Sequence, residues 1–494
     1  MVHTLRATWS DVGMDILELQ PGTLTAAEVV DVARGDRPVR LGAAALATLT
    51  QARAAVDALA AAERPVYGVS TGFGALATRH IPAGQRAQLQ RSLIRSHAAG
   101  SGDEVEREVV RAMMLLRLRT LVSGHTGVRP VVAETLAALL TAGITPVVRE
   151  HGSLGCSGDL APLAAVALTL IGEGEVRDAD GEQLPAATAL AAAGITPVEL
   201  AAKEGLSLIN GTDGMLGQLL LACHDLGRLL TLADVAAAMS IEGLLATDRV
   251  FAADVMALRP HPGQTDSAAN LRALLAGSGI VASHRMPDCT RVQDAYSLRC
   301  APQVAGAARD LLVYVRTVAD RELASAIDNP VLLGDGRVES NGHFHGAPIA
   351  QALDHLAIPV ADLASISERR TDRFLDIDRN QGLPAFLADD PGVDSGVMIA
   401  QYTQAAIVAE CRRRAIDGLT RVLAIEVLVA ARGLDLRAPL RPAPATAAVV
   451  AALRHQVPGP GPDRHLSPEI EAAVALARDG VLVDAAEAVI GPLA

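Results

Sequence analysis

Long runs of alanine and leucine, broken by single charged residues, restrict the fold of this chain more than any other feature. Residues 41–62 are mostly Ala and Leu, with Arg53 and Asp57 set among them. Ala and Leu are strong helix formers, and the interspersed charges mark amphipathic core helices rather than membrane spans. The spacing predicts helices over 42–62, 104–122, 131–142, 303–326 and 347–370. A longer helical run opens at 203–212 and reaches about 247, and another reads from 395 to about 432. Within 303–326, Val304, Ala308, Leu311, Leu312, Val315 and Ala319 recur every three to four residues, the stripe of a bundle helix. Only ten residues are aromatic (one Trp, four Tyr, five Phe), so the core must be aliphatic. The expected fold is mostly α, a bundle of long helices. At 494 residues the chain exceeds one typical core, and the reading divides it into 1–205 and 206–494.

Charge narrows the function classes. A net charge of −13 argues against nucleic acid or an anionic membrane as partner. Cys156, Cys223, Cys289, Cys300 and Cys411 show no metal-ligand spacing, and an odd count suits reduced thiols. No basic segment followed by an apolar run stands at the N-terminus, so no signal peptide is expected. A soluble, cytoplasmic protein is the expectation.

The stretch Glu150-His151-Gly152-Ser153-Leu154-Gly155-Cys156-Ser157-Gly158-Asp159-Leu160-Ala161-Pro162 sets small residues between apolar segments. Small residues let backbone approach backbone, and Gly158 has no Cβ to obstruct its nitrogen. Taken alone, such a turn can simply cap a helix, with Ser157 or Asp159 as N-cap. Other stretches stand out in the same way. Tyr67-Gly68-Val69-Ser70-Thr71-Gly72-Phe73-Gly74 spends two scarce aromatics on a Gly-rich loop. His97 ends a helix before Gly100, where a histidine ordinarily satisfies the helix terminus. Asn210 reads as a helix-start residue, for which N-capping is the ordinary role. Gln293, Tyr296 and Arg299 recur every three residues, which predicts one side of a helical turn. A planar guanidinium there is suited to clamp a carboxylate. His343 and His345 flank Phe344, but a third ligand at sensible spacing is missing, so no metal is expected.

Together these words resemble the aromatic amino acid ammonia-lyases, a family within the fumarase-like superfamily. The family signatures are Gly-Ser-x-Gly-Ala-Ser-Gly-Asp-Leu-Ala-Pro-Leu, Tyr-Gly-Val-Asn-Thr-Gly-Phe-Gly, Leu-Gln-x-Asn-Leu-x-x-Ser-His-Ala-x-Gly, Val-Gln-Asp-x-Tyr-Ser-x-Arg and Gly-Asn-Phe-His-Gly. Here Cys156, Ser70, Ser92 and His343 depart from the pattern, and Asp213 stands where Gln is usual. The resemblance implies that Cys156-Ser157-Gly158 cyclise into 4-methylidene-imidazol-5-one (MIO), an autocatalytic electrophile needing no external cofactor. It implies Tyr67 as base, Arg299 as carboxylate binder, and Asn210, Gln293 and Tyr296 as hydrogen-bonding groups at ring and substrate. His97 and Phe344 shape the pocket. A phenol serves as base at neutral pH only where positive charge or hydrogen bonds favour its ionised form. The Ser96-His97 pair is typical of histidine-specific members, so the implied reaction is ammonia elimination from L-histidine to trans-urocanate, in a homotetramer.

One wall of the implied pocket is missing. After the position of Glu410, histidine-specific members carry Pro-Ala-Ser-x-Asp-Ser-Ile-Pro and Gln-Glu-Asp-His-Val-Ser-Met, whereas Cys411-Arg412-Arg413-Arg414 here joins directly to Ala415. The absent loop holds the carboxylate implied to meet the imidazole. Two other outcomes therefore stay open: an MIO-dependent 2,3-aminomutase or tyrosine or phenylalanine ammonia-lyase, and an impaired homologue with a binding role.

Overall fold

The computed structural model describes residues 15–22, 24–61, 65–72, 78–285, 292–410, 415–461 and 467–494. Helices dominate, and the strands among the described residues form two- and three-stranded pieces. The chain makes two compact units interleaved in sequence. The first comprises residues up to Leu221 together with Arg316–Ala352; the second comprises Ala222–Val315 and Leu353–Ala494.

In the first unit, helix Arg107–Val122 is buried on every side from Val110 to Val122. It packs against helices Ala26–Arg34, Ala43–Ala61, Pro130–Thr141 and Leu160–Leu170. Each fully buried Leu or Met contributes about 1.5–3 kcal/mol, so this helix anchors the unit. Its buried arginines end on backbone carbonyls: Arg111 on Val32 and Leu140, Arg117 on Ile327, Arg119 on Ser325. Helix Ala26–Arg34 begins at a capping box between Thr25 and Glu28. The polar segment at 172–184 forms the antiparallel pair Glu175–Arg177 and Gln183–Pro185.

In the second unit, helix Ala415–Asp435 runs through the core and packs against helices Met398–Glu410 and Ser467–Arg478. The Glu426 carboxylate, fully buried on it, accepts from Arg370, Ser240 and Ser367. Among the described residues, helix Ala347–Leu375 alone is long and apolar enough to cross a membrane by length and composition. Its buried Leu356, Val360, Leu363, Ser367 and Arg370 recur every three to four residues, the stripe of a packed helix.

Two expected elements differ. The run from 203 to 247 is two helices, Glu204–Ile209 and Asp213–Gly243, parted at Asn210-Gly211-Thr212. Residues 252–290, read as loop, include helix Pro262–Leu274, whose first position holds Pro262, where a missing N–H costs nothing. Of the run from 395, Met398–Glu410 and Ala415–Asp435 are helical, and Cys411–Arg414 between them lie outside the described residues.

A buried ion pair ties the first unit together. Lys203 Nζ donates to Asp328 Oδ2 at 2.5 Å, to Ser207 Oγ and to the Thr126 carbonyl, each at 2.8 Å. Burial pulls the Lys203 ammonium below its ordinary range, and Asp328 opposes that pull. Truncating one partner strands the other charge, whereas replacing both with apolar residues does not. Asp328→Ala is expected to cost about 3–5 kcal/mol in chemical denaturation, with Lys203→Met/Asp328→Leu recovering most of the loss.

Candidate active site

The Gly155-Cys156-Ser157-Gly158 turn is closed on itself. Gly155 and Gly158 form an isolated antiparallel bridge and both hold positive φ, +78° and +77°. Cys156 is exposed and Ser157 half-buried at the apex. A Cβ on Gly158 would lie 2.4 Å from the Gly211 carbonyl oxygen and 3.3 Å from that of Phe344, so only glycine fits. The flanks of the turn are pinned: the Gly346 amide donates to the Gly155 carbonyl at 2.8 Å, and the Asp159 amide to the Gly211 carbonyl at 2.7 Å.

Asp159 occupies the N-cap position of helix Leu160–Leu170 yet makes no side-chain cap there. Its Oδ2 accepts instead from the Gly214 and Met215 amides, in the first turn of helix Asp213–Gly243, at 2.8 and 3.0 Å. Ser153 Oγ donates to Oδ1 at 2.6 Å. Burial pushes the Asp159 carboxyl up to about 6, against the downward pull of these donors. A caps-only reading of the stretch is thus replaced by a carboxylate that fastens the turn to a different helix.

Asn210 caps the C-terminus of helix Glu204–Ile209 and is not an N-cap. Its Nδ2 donates to the Asn329 carbonyl at 2.9 Å. Asn329 Oδ1 accepts from Ser340 Oγ and the Asn341 amide, which sets the turn carrying Phe344. Asp328 also accepts the Asn329 amide, so the Lys203 pair supports this same layer. Phe344 is half-buried, while His343 and His345 are exposed. Among the described residues no cluster of three or more His, Cys, Asp or Glu could hold a metal.

Tyr67 is half-buried in the turn 66–70, where Ser70 Oγ accepts the Val66 amide. The Ile81 amide donates to the Ser70 carbonyl; Phe73 and Gly74 lie outside the described residues. His97 ends helix Arg86–His97, and its Nδ1 meets the Leu93 carbonyl at 2.9 Å. A proton on Nδ1 satisfies that carbonyl and leaves Nε2 as an acceptor. Just beyond it, strand Ser101–Glu104 pairs with Arg149–His151, which brings this helix end beside the stretch leading into the Gly155–Gly158 turn.

The remaining predicted residues belong to the second unit. The helix begins only at Tyr296 and covers Tyr296–Arg299, so Gln293 is not on its face. Buried Asp294 accepts the Thr247 amide at 2.7 Å, a tertiary bond that holds the preceding segment out of helix. Gln293 and Tyr296 are exposed. The Arg299 guanidinium lies 5.2 Å from the Tyr296 ring centroid, and its buried Nε has no hydrogen-bond partner among the described residues.

Contacts therefore join Gly158, Gly211 beside Asn210, and Phe344. Tyr67 and His97 come from other segments of that unit, and Gln293, Tyr296 and Arg299 from the second. Sequence reasoning missed the positioning roles of Asp159, Gly211 and Asp328. The one available signal was a carboxylate beside a run of small residues.

The model of the aromatic amino acid lyase family matches residues 24–416. A histidine ammonia-lyase of Streptomyces avermitilis is 60% identical over 503 aligned positions, covering 95% of this chain and 98% of the relative. That of Streptomyces coelicolor is 58% identical, with the same coverage. The aligned length exceeds the 494 residues of this chain, so these relatives carry segments it lacks. Among solved structures, a tyrosine aminomutase from Streptomyces globisporus superposes with a TM-score of 0.91 at 36% identity, covering 97% of this chain and all of the other. Histidine ammonia-lyase from Trypanosoma cruzi gives 0.88 at 34% identity, covering 96% of each chain.

The Asp159 carboxyl has a pH signature. Its folded-state pKa stands above the ordinary 3.8, so between about 4 and 6 the folded state holds more protons than the unfolded. This group's contribution to stability accordingly grows as pH falls through that window, by about 3 kcal/mol in all. Asp159→Asn is expected to remove this component from the slope of unfolding free energy against pH.

Proposed function

The chain belongs to the aromatic amino acid lyase family, and from that premise we propose that it eliminates ammonia from L-histidine to give trans-urocanate. The observation that carries this reading is the closed Gly155–Gly158 turn, in which a side chain on Gly158 would strike the Gly211 carbonyl. The turn suits MIO: Cys156 and Ser157 stand at its apex, and the Gly158 nitrogen is unshielded by any Cβ. When present, MIO supplies an electrophile that turns the substrate amine into a better leaving group.

The chain's own residues do the remaining work. Arg299 holds the substrate carboxylate with a guanidinium that has donor capacity in reserve at Nε. Fixing the carboxylate orients the reacting carbons. Tyr67 takes the β-proton, and the Tyr296 ring stacked on Arg299 keeps that guanidinium aligned. Asn210, Gln293 and Tyr296 supply hydrogen bonds, His97 presents Nε2 to the pocket, and Phe344 forms a wall. The enzyme works as a homotetramer in the cytoplasm, with pockets built from several subunits. Exposed Val313, Tyr314, Ile358, Ile399 and Tyr402 support assembly, because large apolar side chains on long helices gain by burial.

A second reading, an aminomutase, is favoured by the segment missing after Glu410 together with the likeness to the tyrosine aminomutase. Product analysis on histidine, tyrosine and phenylalanine separates the two readings and also identifies an inactive binding homologue.

The decisive comparison is intact mass beside Ser157→Ala, followed by urocanate absorbance with L-histidine. A deficit of about two waters in the parent, absent from Ser157→Ala, together with rising absorbance, is the expected result. A chain of full mass would overturn the reading. Arg299→Lys is expected to raise KM roughly ten- to hundredfold with a smaller fall in kcat, since an ammonium cannot replace a bidentate clamp.

A further inference from the structure

Beside Gly211, three buried polar atoms have no hydrogen-bond partner among the described residues: Arg117 Nε, Arg117 Nη1 and Asp213 Oδ2. Arg117 is fully buried and Asp213 nearly so, and their charges stand 3.4 Å apart. Buried charges left short of partners are costly, so a native structure that keeps them calls for an explanation. Position supplies one. A Cβ on Gly211 would lie 2.3 Å from Asp213 Oδ2 and 2.4 Å from Arg117 Nη1. The Gly211 carbonyl also accepts the Asp159 amide and abuts Gly158. Gly211 thus lies against both the ion pair and the turn.

We propose that Asp213, held by Arg117, is a positioning residue for ring closure: the pair backs Gly211, and Gly211 holds the Gly158 nitrogen toward the Cys156 carbonyl. The inference rests on the MIO reading above. Closure forms a bond from the Gly158 nitrogen to the Cys156 carbonyl carbon. One water then leaves with that carbonyl oxygen and the hydrogens of the Gly158 and Ser157 nitrogens. A second leaves with the Ser157 hydroxyl and the Ser157 Cα hydrogen. No oxidant or co-reactant is needed, so alignment of a weak amide nucleophile is what the protein must supply. Backing by a charged pair serves this better than an apolar wall would, because Arg117 is itself tied to the Ile327 carbonyl at 2.8 Å and cannot retreat.

The test follows the mass of full-length chains during expression and after purification, with thermal melting alongside. Asp213→Asn keeps shape and removes charge; Asp213→Glu keeps charge. Asp234→Asn, in the buried Arg309–Asp234 pair at 2.7 Å in the second unit, controls for general destabilisation. Asp213→Asn is expected to fold with loss of the two waters slowed about tenfold or more, Asp213→Glu to restore it, and Asp234→Asn to lower the melting temperature with the loss intact. Should Asp213→Asn not fold, Arg117→Met/Asp213→Asn removes the stranded charge and is expected to fold at full mass. Prompt dehydration of Asp213→Asn or of the double variant overturns the positioning role, as does equal failure in Asp234→Asn. Those outcomes leave the lyase reading standing, whereas a parent chain of full mass takes both down.

Discussion

Everything at this site depends on one backbone contact, Gly158 against the Gly211 carbonyl. Neither residue has room for a side chain: the space beside Gly158 is filled by Gly211 and Phe344 backbone, and that beside Gly211 by Asp213 and Arg117. Glycine here is a requirement of close approach, and the positive φ at Gly158 adds a second reason. A turn so confined samples few conformations. On the proposed cyclisation, that confinement would substitute for the catalytic groups an intramolecular amide attack otherwise needs.

The polar residues around this contact form a graded support. Nearest is Asp159, whose carboxylate takes two amides from the start of helix Asp213–Gly243 and a hydroxyl from Ser153. Four orphan amides at a helix start are a natural seat for a carboxylate, although this one arrives from another segment. Farther out, Asp328 joins Lys203 and Ser207, and through Asn329 reaches both Asn210 and the turn bearing Phe344. The groups that would touch substrate are thus set by buried charges that never meet it. Loss of one such charge is costly because its partner is left in a low dielectric.

Much of this was legible in the sequence. Helices such as Ala43–Ala61 and Ala301–Leu323 follow from apolar spacing because local propensity and tertiary burial favour the same state. The 150–162 stretch stood out by its density of small residues, although the same residues also suit a turn that caps a helix. The break at Asn210-Gly211-Thr212 was hidden, since helix formers flank it and the bonds that open it come from Asp159 and Asn329, distant in sequence. Gln293 failed for the same reason: three-residue spacing predicts a helical face, yet the Asp294 bond to Thr247 starts the helix later. Arg117 was illegible as well, because a helix buried on every side carries no periodic polar face to mark it.

Residues 410–415, where the resemblance implies an absent loop, fall within the second unit, near the residue where the family match ends. The supports of the Gly155–Gly158 turn all lie in the first unit. The supports of the Gly155–Gly158 turn and the segment around Glu410 therefore belong to different units. The buried face of helix Ala415–Asp435 is held by aliphatic packing and the Arg370–Glu426 pair. Arg370 also donates to the Ser297 carbonyl, inside the turn that carries Tyr296 and Arg299. The turn that carries Arg299 is thereby tied to the core of its unit.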